Sequence, residues 1–362
     1  MALQMGIVGL PNVGKSTLLN ALSHAHVEAS NYPFCTIDRN IGTAAIDDPR
    51  LARLAKLLSP DETIPASIRF VDIAGLVRGA SRGEGLGNQF LGHIREVDAL
   101  VHVVRCFQDE TVVHVDGDVD PVRDYEIVET ELLLADLETV EQHRKKVEQS
   151  GKGNPKQAAA DLDALERLCK PLSNGTPLRR VELRAKEEEK AKELCLLTAK
   201  PIVMVANVAE DDPGGGAPEV SALKETLEGE PVLPLSIRLE SELAQLEPEE
   251  RDEFQRDLGL PGCGLDRLLA TSSELLDLVT FYTIANEKLQ AWLIPRGMKA
   301  PNAAGRIHTD MEKGFIRAEV FRPEDIEAYP SRAELHNHGR IRTEGKEYVI
   351  EDGDICQFLF HP

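Results

Sequence analysis

A glycine-rich segment near the amino end, GLPNVGKS from Gly9 to Ser16, constrains the fold more than any other stretch of the sequence. It fits the G-x-x-x-x-G-K-[ST] phosphate-loop pattern without a gap. The residues before it, Leu3 to Val8, have the composition of a buried strand, and Thr17 to Ala25 that of a helix. Glycine lets backbone N–H groups turn towards phosphate oxygens, and the helix amino end adds a partial positive charge. The segment therefore predicts nucleotide binding, in preference to a glycine turn that merely caps a helix.

Two side chains of this segment have specific predicted roles. Lys15 is expected to reach the β and γ phosphates, and Ser16 to place its hydroxyl on a Mg²⁺ cofactor that bridges them. Lys15 is also a predicted catalytic residue. The predicted nucleotide contacts of the loop are Asn12, Val13, Gly14, Lys15, Ser16 and Thr17.

The composition excludes several classes of protein. No segment approaches about 18 uncharged apolar residues, and no signal-like stretch precedes the first strand, so we expect no membrane contact. The six cysteines include no C-x-x-C pair, which indicates reduced thiols and a cytoplasmic location. The net charge of −21 disfavours nonspecific binding to nucleic acid, so any RNA contact needs a local patch.

Two further segments carry candidate phosphate and metal contacts. The polar stretch Ala29 to Gly42 is predicted to be a loop, and its Thr36 is a candidate Mg²⁺ ligand, although a lone loop threonine is more often a turn residue. The stretch Ser67 to Gly75 is predicted to be a strand that ends in D-x-x-G. There Asp72 would hold Mg²⁺ through water, and Gly75 would present its N–H to the γ-phosphate.

The rest of the chain predicts an α/β fold. Strand-like runs at 97–107, 201–207 and 232–237 alternate with helical patterns, which favours a parallel sheet with ligands at its carboxyl edge. Residues 9–16, 72–75, 207–210 and Ser236 are expected on that edge. From 125 to 200 apolar residues recur at helical spacing, which predicts an inserted helical hairpin or short coiled coil.

The pattern of apolar and polar residues changes again from about residue 279. The runs VTFYTI, KLQAWLI, GFIRAEVF, KEYVI and ICQFLF are strand-like, and APNAAGRIHTDME is helical. We therefore predict a nucleotide-binding domain over 1–277, with the insertion at 125–200, and a small mixed α/β domain over 278–362.

The motifs NYPFCTID, DIAGLVRGAS, GEGLGNQFL, NVAE and IHTDMEKGFIRAEVF together resemble the Obg-like ATPases of the YchF type. The resemblance covers nearly the whole chain. It implies a P-loop NTPase with a parallel sheet, a coiled-coil insertion and a C-terminal TGS domain of β-grasp fold. It further implies association with the ribosome, through the large subunit, and suggests an RNA contact through the TGS domain.

The residues that would face the base depart from the guanine-reading motif N-K-x-D. Here Val208 replaces the lysine and Glu210 the aspartate, so the carboxylate lies one methylene further out and guanine discrimination should weaken. Asn207 and Ser236 complete the predicted base contacts. These residues are compatible with the preference for ATP over GTP that the resemblance implies.

The residue that positions the attacking water must also differ from that of Ras-like enzymes. They use a glutamine directly after D-x-x-G, where this chain has Leu76, and an aliphatic side chain cannot orient water. The resemblance points instead to His114, in a polar loop, whose imidazole could orient or partly deprotonate water. A lone histidine is otherwise usually structural.

These observations predict an enzyme that hydrolyses ATP to ADP and phosphate with Mg²⁺ and switches a surface between two states. Two alternatives stay open: a GTPase of ordinary specificity, and a ribosome-binding factor in which hydrolysis is only a timer.

Overall fold

A computed structural model of the chain describes residues 3–24, 40–73, 75, 79, 87–109, 111–115, 117–150, 155–227, 229–260, 262–329 and 331–361. The strands are β1 (Gln4–Val8), β2 (Ile41–Ala45), β3 (Glu62–Ile64), β4 (Ser67–Asp72), β5 (Ala99–Arg105), β6 (Ile202–Asn207), β7 (Val232–Leu235), β8 (Leu278–Ala285), β9 (Lys288–Pro295), β10 (Phe315–Phe321), β11 (Arg342–Glu344) and β12 (Ile355–Phe360). The helices are α1 (Lys15–His24), α2 (Pro49–Leu58), α3 (Gly87–Glu96), α4 (Pro121–Ser150), α5 (Pro155–Ser173), α6 (Ala185–Glu193), α7 (Pro218–Thr226), α8 (Ile237–Leu243), α9 (Pro248–Asp257), α10 (Gly264–Leu275), α11 (Ala300–Ile307), α12 (Thr309–Lys313), α13 (Pro323–Ala328) and α14 (Arg332–Asn337).

The first sheet has the strand order β2-β4-β1-β5-β6-β7 within the described residues. Every neighbouring pair from β4 to β7 is parallel. All residues of β5 and β6 are buried, as a parallel sheet covered on both faces requires. The predicted α/β fold with a parallel sheet is therefore confirmed, and the carboxyl ends of β1, β4, β5, β6 and β7 share one edge.

One edge strand of this sheet was missed. The sequence places Ile41 and Gly42 at the end of a loop, but they begin β2, which pairs antiparallel with β4. Gly42 packs against α1, so closely that a Cβ there would overlap the Ser23 hydroxyl. The short run IGTAA carries little strand signal, and its pairing depends on β4 and α1.

The predicted helical segment after β5 consists mainly of α4, α5 and α6. The first turns of α4 pack on the main core through Tyr125, Val128 and Leu132, whereas its later turns form a separate core with α5. The predicted helix after residue 177 is only partly present, because a 3-10 turn at Leu178–Arg180 and an extended segment precede α6. The chain then turns back to the sheet, where Asp136 of α4 accepts hydrogen bonds from two backbone N–H groups of residues 197 and 198, each at 2.8 Å.

The second sheet has the order β11-β10-β12-β8-β9-β3 in the described part of the chain. Strands β8 and β9 form a hairpin, with positive φ at both turn residues, Asn286 and Glu287. The predicted strand KEYVI is absent: only Val349 makes a single bridge, to Lys299. Its apolar residues Tyr348 and Ile350 pack into the core of this unit instead of pairing.

A segment from the amino-terminal half belongs to this second sheet. Strand β3 pairs parallel with β9, and helix α2 packs on β8 through Leu51 and Leu54. Asp48 caps α2 and also accepts a hydrogen bond from the hydroxyl of Tyr282, at 2.5 Å. Residues 48–64 therefore connect the two sheets physically.

The longest helices, α4 and α5, are too rich in charged residues to cross a membrane, and no other helix in the described ranges qualifies either.

Candidate nucleotide-binding site

The loop between β1 and α1 has a backbone that only particular residues adopt without strain. Gly14 has φ +106°, and a Cβ there would lie 2.8 Å from Nδ2 of Asn207. Gly9 has φ +149°, and a Cβ would overlap the carbonyl oxygen of Val103 on β5. Asn12, with φ 62°, takes the left-handed conformation that asparagine tolerates. The loop thus lies tightly on the carboxyl edge of the sheet, and its backbone continues directly into α1.

The side chain of Lys15 lies in this loop and is only 7% exposed. Its Nζ donates a hydrogen bond to the carbonyl oxygen of Leu10 at 2.7 Å. Burial lowers the pKa of Lys15, and the negative charge of Asp72 partly offsets this effect. An anion at the loop would offset the energetic cost of burying this ammonium group, because it would supply the opposite charge.

The next residue, Ser16, joins the loop to the end of β4. Its hydroxyl donates a short hydrogen bond to Oδ2 of Asp72, whereas Oδ1 of the same carboxylate is buried with no partner among the described residues. A hydroxyl and an incompletely satisfied carboxylate are the hard oxygen donors that Mg²⁺ prefers. No cluster of three or more histidine, cysteine or acidic side chains suited to a metal occurs in the described ranges. The arrangement fits a Mg²⁺ ion held by few protein groups together with phosphate and water.

The D-x-x-G glycine lies beside the same loop. A Cβ on Gly75 would be 3.1 Å from the backbone nitrogen of Pro11, so the D-x-x-G segment packs directly against the phosphate loop. The predicted metal ligand Thr36, and Leu76 at the glutamine position, lie outside the described residues. Thr17 is exposed on the first turn of α1.

Asn207, at the end of β6, ties three segments together. Its Nδ2 donates to the carbonyl oxygen of Val13 at 2.9 Å, and its Oδ1 accepts from the N–H of Ile237 at 3.2 Å. The adjacent Val208 is buried, and its N–H donates to the carbonyl of Leu235. The amide side chain thereby fixes the phosphate loop against the starts of the two loops that follow β6 and β7.

Two further predicted base contacts lie near Asn207 in different environments. Ser236 is 3% exposed, and its hydroxyl has no hydrogen-bond partner within the described part of the chain. Glu210 is on the surface and pairs with Arg238 of α8, with 2.8 Å between Oε1 and Nε. The structure therefore brings residues 9–16, 72, 73, 75, 207–210 and 236 to one edge, as expected from a parallel sheet.

His114 is held away from solvent. Its side chain is 3% exposed, and Nε2 lies 2.8 Å from Oδ2 of Asp124, in the first turn of α4. Burial raises the pKa of Asp124, and the hydrogen bonds from His114 and Arg123 oppose that rise. The preceding residue, Val113, touches the phosphate loop, because its carbonyl accepts a hydrogen bond from Nδ2 of Asn12 at 3.3 Å.

Sequence reasoning missed three residues that shape this site. Arg105 is buried at the end of β5 and donates to three carbonyl groups of the loop that leads to His114. Asp124 is the partner of His114, but an acidic residue in a first helical turn is common and gives no distinctive signal. Arg238 is an ordinary surface arginine until its contact with Glu210 is seen.

The fold and this site define the class of P-loop nucleotide-binding proteins. Residues 4–134 match a family model described as "50S ribosome-binding GTPase". Residues 278–361 match the YchF-GTPase_C model, described as a protein of unknown function (DUF933).

Individual proteins match along the whole chain. The chain is 47% identical over 366 residues to the ribosome-binding ATPase YchF of Bacillus subtilis, and 47% identical over 363 residues to that of Escherichia coli O157:H7. Each alignment covers 100% of both proteins. The solved structure of the Schizosaccharomyces pombe YchF GTPase superposes with a TM-score of 0.87 at 36% identity, covering 99% of this chain and 97% of that one. The chain belongs to the YchF family, and the resemblance inferred from its motifs is confirmed.

Proposed function

We propose that this protein is a Mg²⁺-dependent NTPase that hydrolyses ATP to ADP and phosphate, uses GTP less well, and acts as a ribosome-associated switch. The observation that carries the proposal is the loop at the end of β1, where a buried lysine and a serine hydrogen-bonded to Asp72 lie together. Relatives that match the whole chain are named ribosome-binding ATPases, which supports both the reaction and the partner.

The triphosphate would bind along the loop of residues 12–17. Backbone N–H groups and the amino end of α1 would receive the phosphate oxygens, and Lys15 would exchange its bond to Leu10 for one to the β and γ phosphates. Ser16 and Thr36 would hold Mg²⁺ directly and Asp72 through water. When bound, the metal supplies positive charge that offsets the charge of the phosphates.

The base would lie against Asn207, Val208, Glu210 and Ser236. Asn207 is already fixed by two hydrogen bonds, so this part of the site needs little rearrangement. The unsatisfied hydroxyl of buried Ser236 favours a polar ligand atom nearby, because buried polar groups normally have a partner. Glu210 is too long to reproduce the aspartate geometry that reads guanine, which supports ATP over GTP.

His114 is the proposed water-positioning residue. Where Asp124 is ionised it can only accept hydrogen bonds, and Nε2 of His114 then donates to it. The loop that carries the imidazole contacts Asn12 in the phosphate loop. A shift of this loop on nucleotide binding would therefore move the imidazole together with its neighbour at the phosphates.

Steady-state hydrolysis and nucleotide affinity of His114→Ala and His114→Gln test this role. His114→Ala should lose at least about 100-fold in turnover while Kd for ATP stays within about threefold, since acid–base groups contribute roughly 10²–10⁴-fold, and His114→Gln should lose the part of turnover that depends on proton transfer. Glutamine keeps a donor for Asp124, so His114→Gln should also keep the stability that His114→Ala loses. Turnover equal to that of the unaltered protein in both variants would remove His114 from the mechanism.

The remaining elements of the proposal concern partners and location. We assign nucleotide binding to 1–277, with the helical insertion at 125–200, and ribosome contacts to the large subunit, with RNA reached through a TGS domain at 278–362. From residue 280 the chain carries 11 basic and 13 acidic residues, a net charge of −2 against −21 overall, so this part repels RNA least. A cytosolic location follows from such a partner.

Co-sedimentation with purified large and small ribosomal subunits tests these assignments. Binding to the large subunit that changes between ATP and ADP supports the switch. Binding that is independent of the nucleotide favours a factor in which hydrolysis is only a timer. Side-by-side affinities for MgATP and MgGTP separate the ATPase from a GTPase of ordinary specificity.

A further inference from the structure

The loop after β6 and the first turn of α8 are joined at two successive positions. The N–H of Ile237 donates to Oδ1 of Asn207 at 3.2 Å. The side chain of the next residue, Arg238, then reaches Glu210, with 2.8 Å between Nε and Oε1. The same nitrogen is 3.5 Å from Oε1 of Glu242, one turn further along α8. The carboxylate at the guanine-reading position is therefore already engaged by a cation.

The chemistry of the two purines makes this contact selective. The Watson–Crick edge of guanine presents two adjacent N–H donors, which a carboxylate can receive together, and a cation paired with one oxygen weakens that contact by offsetting the negative charge. Adenine presents an acceptor at N1 and one amino donor, so it depends less on the negative charge of the carboxylate. A guanidinium group beside the carboxylate also provides N–H donors, which suit the N1 acceptor of adenine but not the N1–H of guanine.

We propose that Arg238 is a specificity-determining residue of the base site, which disfavours guanine relative to adenine by pairing its positive charge with the Glu210 carboxylate. The inference rests on the proposed function, in which the loop 207–210 faces the base. It adds a second cause of ATP preference to the extra methylene of Glu210, and this cause lies in a residue outside the N-x-x-E motif.

The expected effect is modest, because the pair is on the surface. The side chains of Arg238 and Glu210 are 74% and 46% exposed. Exposed ion pairs are weak and screened by salt, so we expect a shift of about three- to fivefold in the ratio of Kd for GTP to Kd for ATP. The shift should shrink at high ionic strength.

Titration calorimetry with MgATP and MgGTP on the full chain tests the proposal. Arg238→Ala should lower the GTP-to-ATP Kd ratio about three- to fivefold. The matched control is Arg167→Ala, which removes a similar exposed pair, Nε to Asp163 at 3.0 Å, on α5 in the helical insertion. This control should leave the ratio unchanged.

A double-mutant cycle with Glu210→Gln shows whether Arg238 acts through the carboxylate. In the Glu210→Gln background, Arg238→Ala should no longer change the ratio. The proposal is overturned if Arg238→Ala leaves the ratio unchanged in a protein that still binds ATP, or if it changes the ratio equally in both backgrounds. Failure of the proposed function is a different result, in which the unaltered protein binds neither nucleotide.

Discussion

Replacement of Lys15 by methionine should remove most of the stabilisation that ATP gives to this protein. Methionine keeps much of the apolar volume of the lysine side chain but has no charge and no N–H donor. Among the described residues, the buried ammonium group of Lys15 donates only to a carbonyl of its own loop, that of Leu10. The phosphates are therefore the partners that should make the largest difference to this group.

The magnitude follows from the value of a charged hydrogen bond. We take the net gain of the ammonium–phosphate contact as about 1.5–3 kcal/mol, which corresponds to a 10- to 150-fold change in Kd. At an ATP concentration 100 times Kd, the unaltered protein gains about 2.7 kcal/mol from binding. At the same concentration the variant should gain only about 0.3–1.4 kcal/mol.

Thermal unfolding with and without MgATP measures this difference. At about 1.3 °C per kcal/mol for a chain of this size, ATP should raise the Tm of the unaltered protein by about 3.5 °C and that of Lys15→Met by about 0.4–2 °C. Lys200→Met is a matched control, because Lys200 is also a partly buried lysine that donates to backbone carbonyls, those of Arg95 and Val97. Burial lowers the pKa of Lys200 as it does that of Lys15.

The two variants separate a general effect of losing a buried lysine from a specific effect on ATP. Lys200→Met should change the Tm of the free protein but keep the full increase of about 3.5 °C with ATP. An increase in Lys15→Met equal to that of the unaltered protein would refute the assignment of Lys15 to the phosphates.

Three further predictions concern stability and reactivity. Gly14→Ala should lower the free energy of unfolding in urea by about 1–3 kcal/mol, because the φ of Gly14 is +106°. Gly92 lies in a helix, and a Cβ there would have no atom within 4 Å, so Gly92→Ala should be neutral or stabilising. Equal effects of the two substitutions would contradict this prediction. Burial raises the pKa of Asp48, but hydrogen bonds from its arginine and tyrosine neighbours outweigh this and lower it below 3.8, so its stabilising contribution is present above pH 3.8 and lost below it. Near neutral pH, the free energy of unfolding of Asp48→Asn should thus be lower than that of the unaltered protein by about 1–2 kcal/mol. Urea titrations at acid pH should show a smaller difference between the two proteins, and a larger difference would contradict the prediction. Exposed Cys195 should be alkylated by iodoacetamide at pH 8 well before Cys106, because burial raises the pKa of the Cys106 thiol to about 12. Peptide mass spectrometry measures the order of alkylation, and earlier alkylation of Cys106 would contradict the prediction.

The sequence predicts the features of this protein that depend on neighbouring residues. The phosphate loop is recognisable because Gly9 and Gly14 adopt positive φ, a conformation that glycine takes more readily than other residues. The buried strands β5 and β6 are continuous apolar runs, and α4 has helical spacing over most of its length. Each of these signals lies within one segment of the chain.

Predictions failed where an element depends on a distant partner. Strand β3 has only three residues, and it exists because Glu62 to Ile64 pair with Lys288 to Gln290 of β9. The run KEYVI has strand composition, yet β11 pairs with β10 at this edge, and Tyr348 is used in packing. Composition cannot distinguish these cases, because the same apolar residues serve pairing and packing equally well.

The sequence by itself determined the phosphate loop, the alternation of strands and helices, and the edge at which the candidate residues meet. Only the tertiary structure decided which groups hold those residues: Asp124 for His114, Val13 and Ile237 for Asn207, and Arg238 for Glu210. The physical reason is that backbone conformation and hydrophobic periodicity are local, whereas a hydrogen bond or ion pair between distant segments forms only after the whole core has fixed their positions.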